Sequence, residues 1–497
     1  MMPADLFAAL EQPDGRGRFG APDFLAQFGF LPPDGDSPLN PDGYPIGFAV
    51  DQEANQVGLT CAACHTAEVE VNGERIRIDG APAHLDFDSF YQALAQAVAA
   101  TLVSPERFQR FAANFGAEDE AAQKALQARL AEFNLELTGD AVVRRPALAS
   151  GYGRVDALTQ IINSLAVTDQ SKPENLYPVA APTSYPPLWL TPELEFVQWI
   201  PIAASPIARN GGQVLGVFGH TDLSSGAAEN AFRSTMLLRN LQEMEDWLQV
   251  LKPPVWDETR MGKIDPELRD RGAEIFRENC AGCHNMAPYE RTEPEVNHFG
   301  ETFIRIGRVD FRKVGTDPAY PMSLLTRQVA TNETTAPLFG DRPIVPALEF
   351  FGGTVQASVQ RAIAEAEFSE EEILALNGMR FTTGPDGKPV PYTPEQPPTY
   401  LKAGPLAGVW ATGPYLHNGS VPTIYELLSP ASERREVFWT GGRALDLRRL
   451  GYESGDAPGR FRFDTRLPGN GNGGHEYPEG GLSHDERMAV IEYLKSQ

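Results

Sequence analysis

Four cysteines occur in the 497-residue chain, and they fall into two groups of one pattern: Cys61-Ala62-Ala63-Cys64-His65 and Cys280-Ala281-Gly282-Cys283-His284. A Cys-x-x-Cys pair alone is compatible with a redox dithiol or half of a zinc site. The histidine directly after each pair points elsewhere. Thiols at this spacing reach the two vinyl groups of a haem, and the adjoining imidazole falls over the iron as proximal ligand. The pattern therefore predicts two covalently bound haem c groups on Cys61, Cys64, Cys280 and Cys283, with His65 and His284 on the irons. Every cysteine is used, so no disulfide is left to brace the chain.

The length suits two or three domains. Gly (46) and Pro (42) are abundant, which favours helices separated by long irregular connections. No run of about 18 apolar residues exists, so no membrane span is expected. The net charge of −25 disfavours nucleic acid and anionic lipid as partners, while an acidic shell suits a soluble protein and could steer a basic redox partner. Attachment of haem c takes place outside the cytoplasm, which makes the expected location periplasmic or secreted. The start Met-Met-Pro-Ala-Asp lacks a basic-then-apolar signal segment, so a targeting segment is expected to be missing from this sequence.

Residues 1–60 read as loop with short elements. Apolar residues three and four apart over 86–115, and again over Ala121–Phe133, predict amphipathic helices. Residues 177–206 are too rich in Pro for a long helix. A stripe from Phe232 to Leu251 predicts a helix over Ala227–Leu251, stopped by Pro253-Pro254. That stop places a domain boundary near 253–262, giving a first haem domain of 1–252 and a second of 253–497. In the second, Leu268, Gly272, Ile275 and Phe276 lead into Cys280, and Ser483-His484-Asp485-Glu486 is a capping box opening a last helix. A helix delivering the haem motif and a final helix with Glu492-Tyr493-Leu494 is similar to small class I cytochrome c, where such helices cross beside the haem. The expected fold is mainly α: two cytochrome c-like haem domains with long loop-rich insertions.

Candidate sixth ligands are the remaining histidines: His84, His220, His298, His417, His475 and His484. His417 stands in Gly413-Pro414-Tyr415-Leu416-His417-Asn418-Gly419-Ser420. His475 stands in a Gly-rich loop, Gly469-Asn470-Gly471-Asn472-Gly473-Gly474-His475, whose backbone can approach a flat cofactor closely. The stretch Trp410–Ser420 resembles the bacterial di-haem peroxidase superfamily, and closest in look are its rubber-oxygenase-like members. The likeness extends to Pro186-Pro187-Leu188-Trp189, Arg209-Asn210, Phe463-Asp464-Thr465, Gly474-His475-Glu476-Tyr477 and Ile491-Glu492-Tyr493-Leu494.

What this resemblance implies is a division of labour. The haem on His65 would be the reactive centre, with an open or weakly held sixth site. The haem on His284 would relay electrons, with His475 as its second ligand and His417 or Met322 as alternatives. His417 would rather support the haem edge through hydrogen bonds. Trp189 would relay electrons between the haems. Leu188, Phe196, Trp199 and Phe218 are candidate walls of an apolar distal pocket, and His84 or His220 a resting ligand on the first haem. Many peroxidases of this superfamily place a Met ligand soon after the Pro-Tyr-x-His motif, yet no Met occurs between Met379 and Met488 here. Three functions stand in order: an oxygenase acting with O2 on a hydrophobic alkene, a peroxidase consuming H2O2 with electrons from a small redox protein, and a non-enzymatic electron carrier.

Overall fold

A computed structural model describes residues 2–15, 17–35, 40, 42–203, 206–224, 229–296, 300–370, 372–373, 381–383, 389–391 and 399–497. Helix makes up about 42% and strand about 15%, so the fold is mixed rather than mainly α. The strands escape a search for amphipathic periodicity because they are short, mostly two to six residues, and pair in small antiparallel sheets. One had a readable signal. Asn72 and Gly73, with φ of 53° and 82°, close the hairpin of Thr66–Val71 with Glu74–Asp79, the turn that an Asn-Gly pair favours.

The first half holds helices Phe87–Val103, Pro105–Phe115 and Glu120–Arg144, each opened by a side-chain cap from Asp86, Ser104 and Asp119 respectively. The Ala121–Phe133 pattern is thus the front of a helix twice its length. The helix expected from Ala227 begins only at Leu238. Phe232 takes a left-handed φ of 64°, its N–H donates to the Asp222 carbonyl, and the Asp222 N–H donates to the Arg233 carbonyl, so its ring joins the core from a loop instead of a helical stripe. Ala227 itself lies outside the described residues.

The segment at the expected boundary, Leu251–Asp257, is extended and packed. Trp256 meets Trp410 edge-on at 5.5 Å, and the Trp410 indole donates to the Pro254 carbonyl at 3.3 Å. Apolar clusters draw from both sides of it: one joins Val69, Trp189 and Trp256 to Trp410, Ile424 and Ile491. Among the described residues no helix is long and apolar enough to cross a membrane.

The crossing that positions the second motif is a close backbone approach between two helices. Helix Pro266–Asn279 runs into Cys280 and packs on the last helix, His484–Lys495, whose capping box of Ser483 and Glu486 is formed as expected. Gly272 sits at the crossing. A Cβ there would lie 1.9 Å from the Ala489 carbonyl oxygen, so only glycine lets the backbones meet. One turn on, the Phe276 and Tyr493 rings pack 5.1 Å apart.

Candidate functional site

Both Cys-x-x-Cys segments lie where a chain turn presents the thiols together. Cys61–Cys64 forms a single helical turn, and the backbone N–H groups of His65 and His284 donate to Cys61 and Cys280 at 3.0 and 2.9 Å. None of the four cysteines is paired with another in a disulfide. Burial raises the Cys61 thiol pKa, lifts Cys64 to about 12 and Cys280 to about 11. A catalytic dithiol needs the reverse shift. Among the described residues no group of three or more His, Cys, Asp or Glu gathers as a metal site, so the pairs have no zinc-type partners either.

The two motif histidines are held alike. His65 Nδ1–H donates to the Pro186 carbonyl at 2.9 Å, and His284 Nδ1–H to the Gly404 carbonyl at 3.0 Å. Each bond leaves Nε2 with a free lone pair, the arrangement a ligating imidazole needs. Burial pushes His65 down to about 4 and lowers His284, so both rings are neutral near pH 7. Thiols, tautomers and protonation all fit a covalently attached haem c. The acceptors, Pro186 and Gly404, carry no sequence signal because any residue offers a carbonyl.

The far sides differ. The His475 ring centre lies 6.2 Å from that of His284, at 62° between planes. An imidazole bound at about 2.0 Å has its centre about 3.1 Å from the metal, so two rings sharing one iron stand about 6.3 Å apart. The measured separation fits. His475 is pushed down to about 4, first by burial and then by His284 and Arg434. No second histidine ring stands so near His65 among the described residues; its ring neighbour, Tyr185 at 6.3 Å, comes from the segment whose Pro186 carbonyl holds it.

The other candidates go elsewhere. Met322 is 39% exposed on the surface. His220 is paired through Nδ1 with the buried Asp169 carboxylate at 3.0 Å. His84 is buried edge-on against Tyr452 at 4.2 Å, with neither ring nitrogen hydrogen-bonded. His484 bonds the Tyr425 hydroxyl at 2.9 Å, and His298 lies outside the described residues. His417 is buried beside Tyr320, ring centres 6.2 Å apart, and pushed down to about 4 by burial. Its neighbour Asn418 donates to the Gly469 and Gly471 carbonyls at 3.2 and 3.0 Å, tying the motif to the His475 loop.

Trp189 is 3% exposed, and its indole N–H donates to the Ala407 carbonyl at 2.8 Å. Pro186 and Gly404, the carbonyls that orient His65 and His284, each lie three residues before one partner of that bond. The indole thus joins the two segments on which the motif histidines rest. Leu188, Phe196, Trp199 and Phe218 do not form one wall. Phe196 packs with Phe303 and Ile306, Phe218 stacks on Tyr91 at 5.9 Å, and the Trp199 indole donates to Ser184. Arg209 forms a buried ion pair with Glu245, which also accepts from Asn210 at 3.0 Å.

Cys-x-x-Cys-His segments, oriented proximal imidazoles and a helix crossing beside one of them define a c-type cytochrome. Residues 400–440, which include Gly404, Trp189's acceptor Ala407 and His417, match the family described as RoxA-like, cytochrome c-like. The match makes this a cytochrome c related to RoxA-like proteins, carrying covalently bound haem c. Over its whole length the chain is 34% identical to the uncharacterized protein y4iJ of Sinorhizobium fredii, covering 88% of that protein, and it belongs to the same family. A second protein of that organism, the uncharacterized y4iM, is 26% identical over 68% of this chain and 70% of its own length.

Proposed function

We propose that this cytochrome is a di-haem oxidoreductase, rubber-oxygenase-like, with the reactive haem on His65 and an electron-relay haem held between His284 and His475. The observation that carries the reading is the asymmetry of the two motifs: a second imidazole stands 6.2 Å from His284, and among the described residues none stands so near His65. Haem c supplies one-electron redox chemistry and, where an axial position is open, activation of O2 or peroxide.

The chain's own residues do the rest. The carbonyls of Pro186 and Gly404 fix both proximal rings and keep their Nδ1 protons, which prevents rotation away from the iron. Trp189 lies on the path between the two sites, and its hydrogen bond to Ala407 stabilises an oxidised indole by accepting its acidic N–H. His417 supports the relay side through Asn418 and the loop it holds. The class of substrate is a hydrophobic alkene oxidised with O2, in a protein located in the periplasm or secreted. Consumption of H2O2 with electrons from a small redox protein is the neighbouring reaction of the same site.

The test is spectroscopic. Pyridine haemochrome analysis is expected to find two covalent haems per chain. CO on the reduced protein, or cyanide on the oxidised one, is expected to titrate one site per chain. His475→Ala is expected to abolish one low-spin ferric signal, while His417→Ala keeps it. A protein that takes up no ligand at either haem and consumes neither O2 with an alkene nor peroxide is an electron carrier, and the proposal fails.

A further inference from the structure

The loop that carries His475 is held under strain, and one buried cation holds it. His475 has a left-handed φ of 54°, a conformation that a non-glycine residue adopts only at a cost. Its N–H donates to the Val314 carbonyl at 2.8 Å, and Gly474 lies so close to Gly315 that a Cβ would fall 2.3 Å from the backbone. The other end of the same peptide is held by Arg434. Its Nη1 donates to the carbonyls of Gly474 at 2.9 Å and Asn472 at 2.5 Å. The rest of the guanidinium donates to Glu426 and Ser429 through Nε, and to Leu427 and Ser429 through Nη2, at 3.1–3.3 Å.

Arg434 is 5% exposed, and all these acceptors are backbone carbonyls. Two carboxylates stand close enough to act on it: Glu426, paired with Arg435 at 2.5 Å, and Glu476, which accepts the Ala431 N–H at 2.9 Å. Carbonyl dipoles solvate the guanidinium, and its removal would leave the negative charge of Glu476 beside His475 unopposed. A buried cation is weakly screened. Ferric haem carries one more positive charge than ferrous haem, so a fixed cation beside it favours the reduced state.

We propose that Arg434 is the positioning residue of the second haem: it presents His475 to the iron and, through its buried charge, raises that haem's reduction potential. The inference rests on the reading that His284 and His475 share one iron. It gives a chain without a Met ligand after the Pro-Tyr-x-His motif another way to hold a bis-histidine haem at a usable potential.

The experiment uses the holoprotein with Arg434→Met, Arg434→Lys, Arg435→Met and His475→Ala, each checked for haem content. The readouts are ferric electron paramagnetic resonance and a potentiometric titration. For Arg434→Met the low-spin signal of the second haem is expected to become heterogeneous, and its low-spin fraction to be reduced at least tenfold less readily, a fall of 59 mV for a one-electron couple. Arg434→Lys keeps the charge but loses the planar fork. It is expected to hold the potential within threefold in equilibrium constant while the signal still broadens. Arg435→Met, whose partner is a carboxylate, should change neither. Wild-type signal and potential in Arg434→Met overturn the proposal, and if that variant yields no holoprotein, an unchanged signal in Arg434→Lys does so. A low-spin signal that survives His475→Ala instead refutes the shared-iron reading on which the inference stands.

Discussion

Replacing Gly272 with alanine sets two known effects against each other at the crossing of helices Pro266–Asn279 and His484–Lys495. In an exposed helix the change would stabilise by about 1 kcal/mol, because glycine gives up more backbone freedom on folding. Here the new methyl would sit 1.9 Å from the Ala489 oxygen, 2.5 Å from its carbonyl carbon and 3.0 Å from the Tyr493 Cβ. Ordinary contact needs about 3.4 Å or more, so the helices must part by roughly 1.5 Å, at an overpacking cost of about 1–3 kcal/mol. Parting them also loosens Phe276 against Tyr493, a contact worth about 0.5–1.5 kcal/mol beyond its area. The net expectation is a loss of about 1–3 kcal/mol. Urea unfolding of the holoprotein, followed by far-ultraviolet circular dichroism and by the Soret band, measures it, and the Soret transition should move first because Phe276 lies 6.4 Å from the His284 ring. A Gly272→Ala protein as stable as the wild type, or more so, refutes the close-approach argument.

Trp189→Phe removes the indole N–H donated to Ala407 and the easily oxidised ring, so electron transfer between the haems should slow by tenfold or more in flash-photolysis kinetics while CO uptake stays intact. Unchanged transfer would place the path elsewhere. Acid should destabilise the protein through His84, buried against Tyr452 and pushed down to about 4 by burial and by Arg443. Its folded pKa lies below the ordinary value, so the stability it contributes is present above about pH 6.5 and is lost as pH falls toward 4, by roughly 3 kcal/mol at about 1.4 kcal/mol per unit. His84→Gln should flatten that window in pH-dependent urea midpoints, and a slope equal to wild type would argue that the ring is protonated in the fold. Asp88, raised to about 6 by burial, works in the opposite sense: its contribution is present below about pH 3.8 and fades as pH climbs through 6.

Residue types with one dominant use were legible in advance. Four cysteines in two Cys-x-x-Cys-His groups announced haem c, and Ser483 with Glu486 announced the last helix at the right residue. Long helices with strong caps, such as those beginning after Asp86 and Ser104, were also readable. The strands were not, since three or four residues give too few alternations to separate from loop. Asn72-Gly73 between Val69, Val71, Ile76 and Ile78 was the exception, a hairpin signal present in plain letters. The Phe232–Leu251 stripe misled because apolar residues at helical spacing also pack from a turn, once Phe232 goes left-handed. The supports of the site were invisible for a deeper reason. Pro186, Gly404 and Ala407 act through carbonyls that every residue has, and Arg434 is distinguished only by what surrounds it.

The crossing at Gly272 also bears on how the protein is made. Gly272 and Ala489 meet from roughly 220 positions apart in the chain, and His475 follows His284 by roughly 190. Closing so long a loop costs only about 2 kcal/mol more than closing one a tenth its size, but the search is slow and the parts arrive in order. Until that closure, Cys280, Cys283 and His284 lie uncovered by the segment that seals them. The thioether bonds can therefore form on an open, accessible strand, while the partner imidazole and the last helix close over the finished attachment. Covalent loading and final geometry are thereby separate steps, and a chain cut short before the Gly-rich loop would be able to accept haem outside the cytoplasm but not to enclose it.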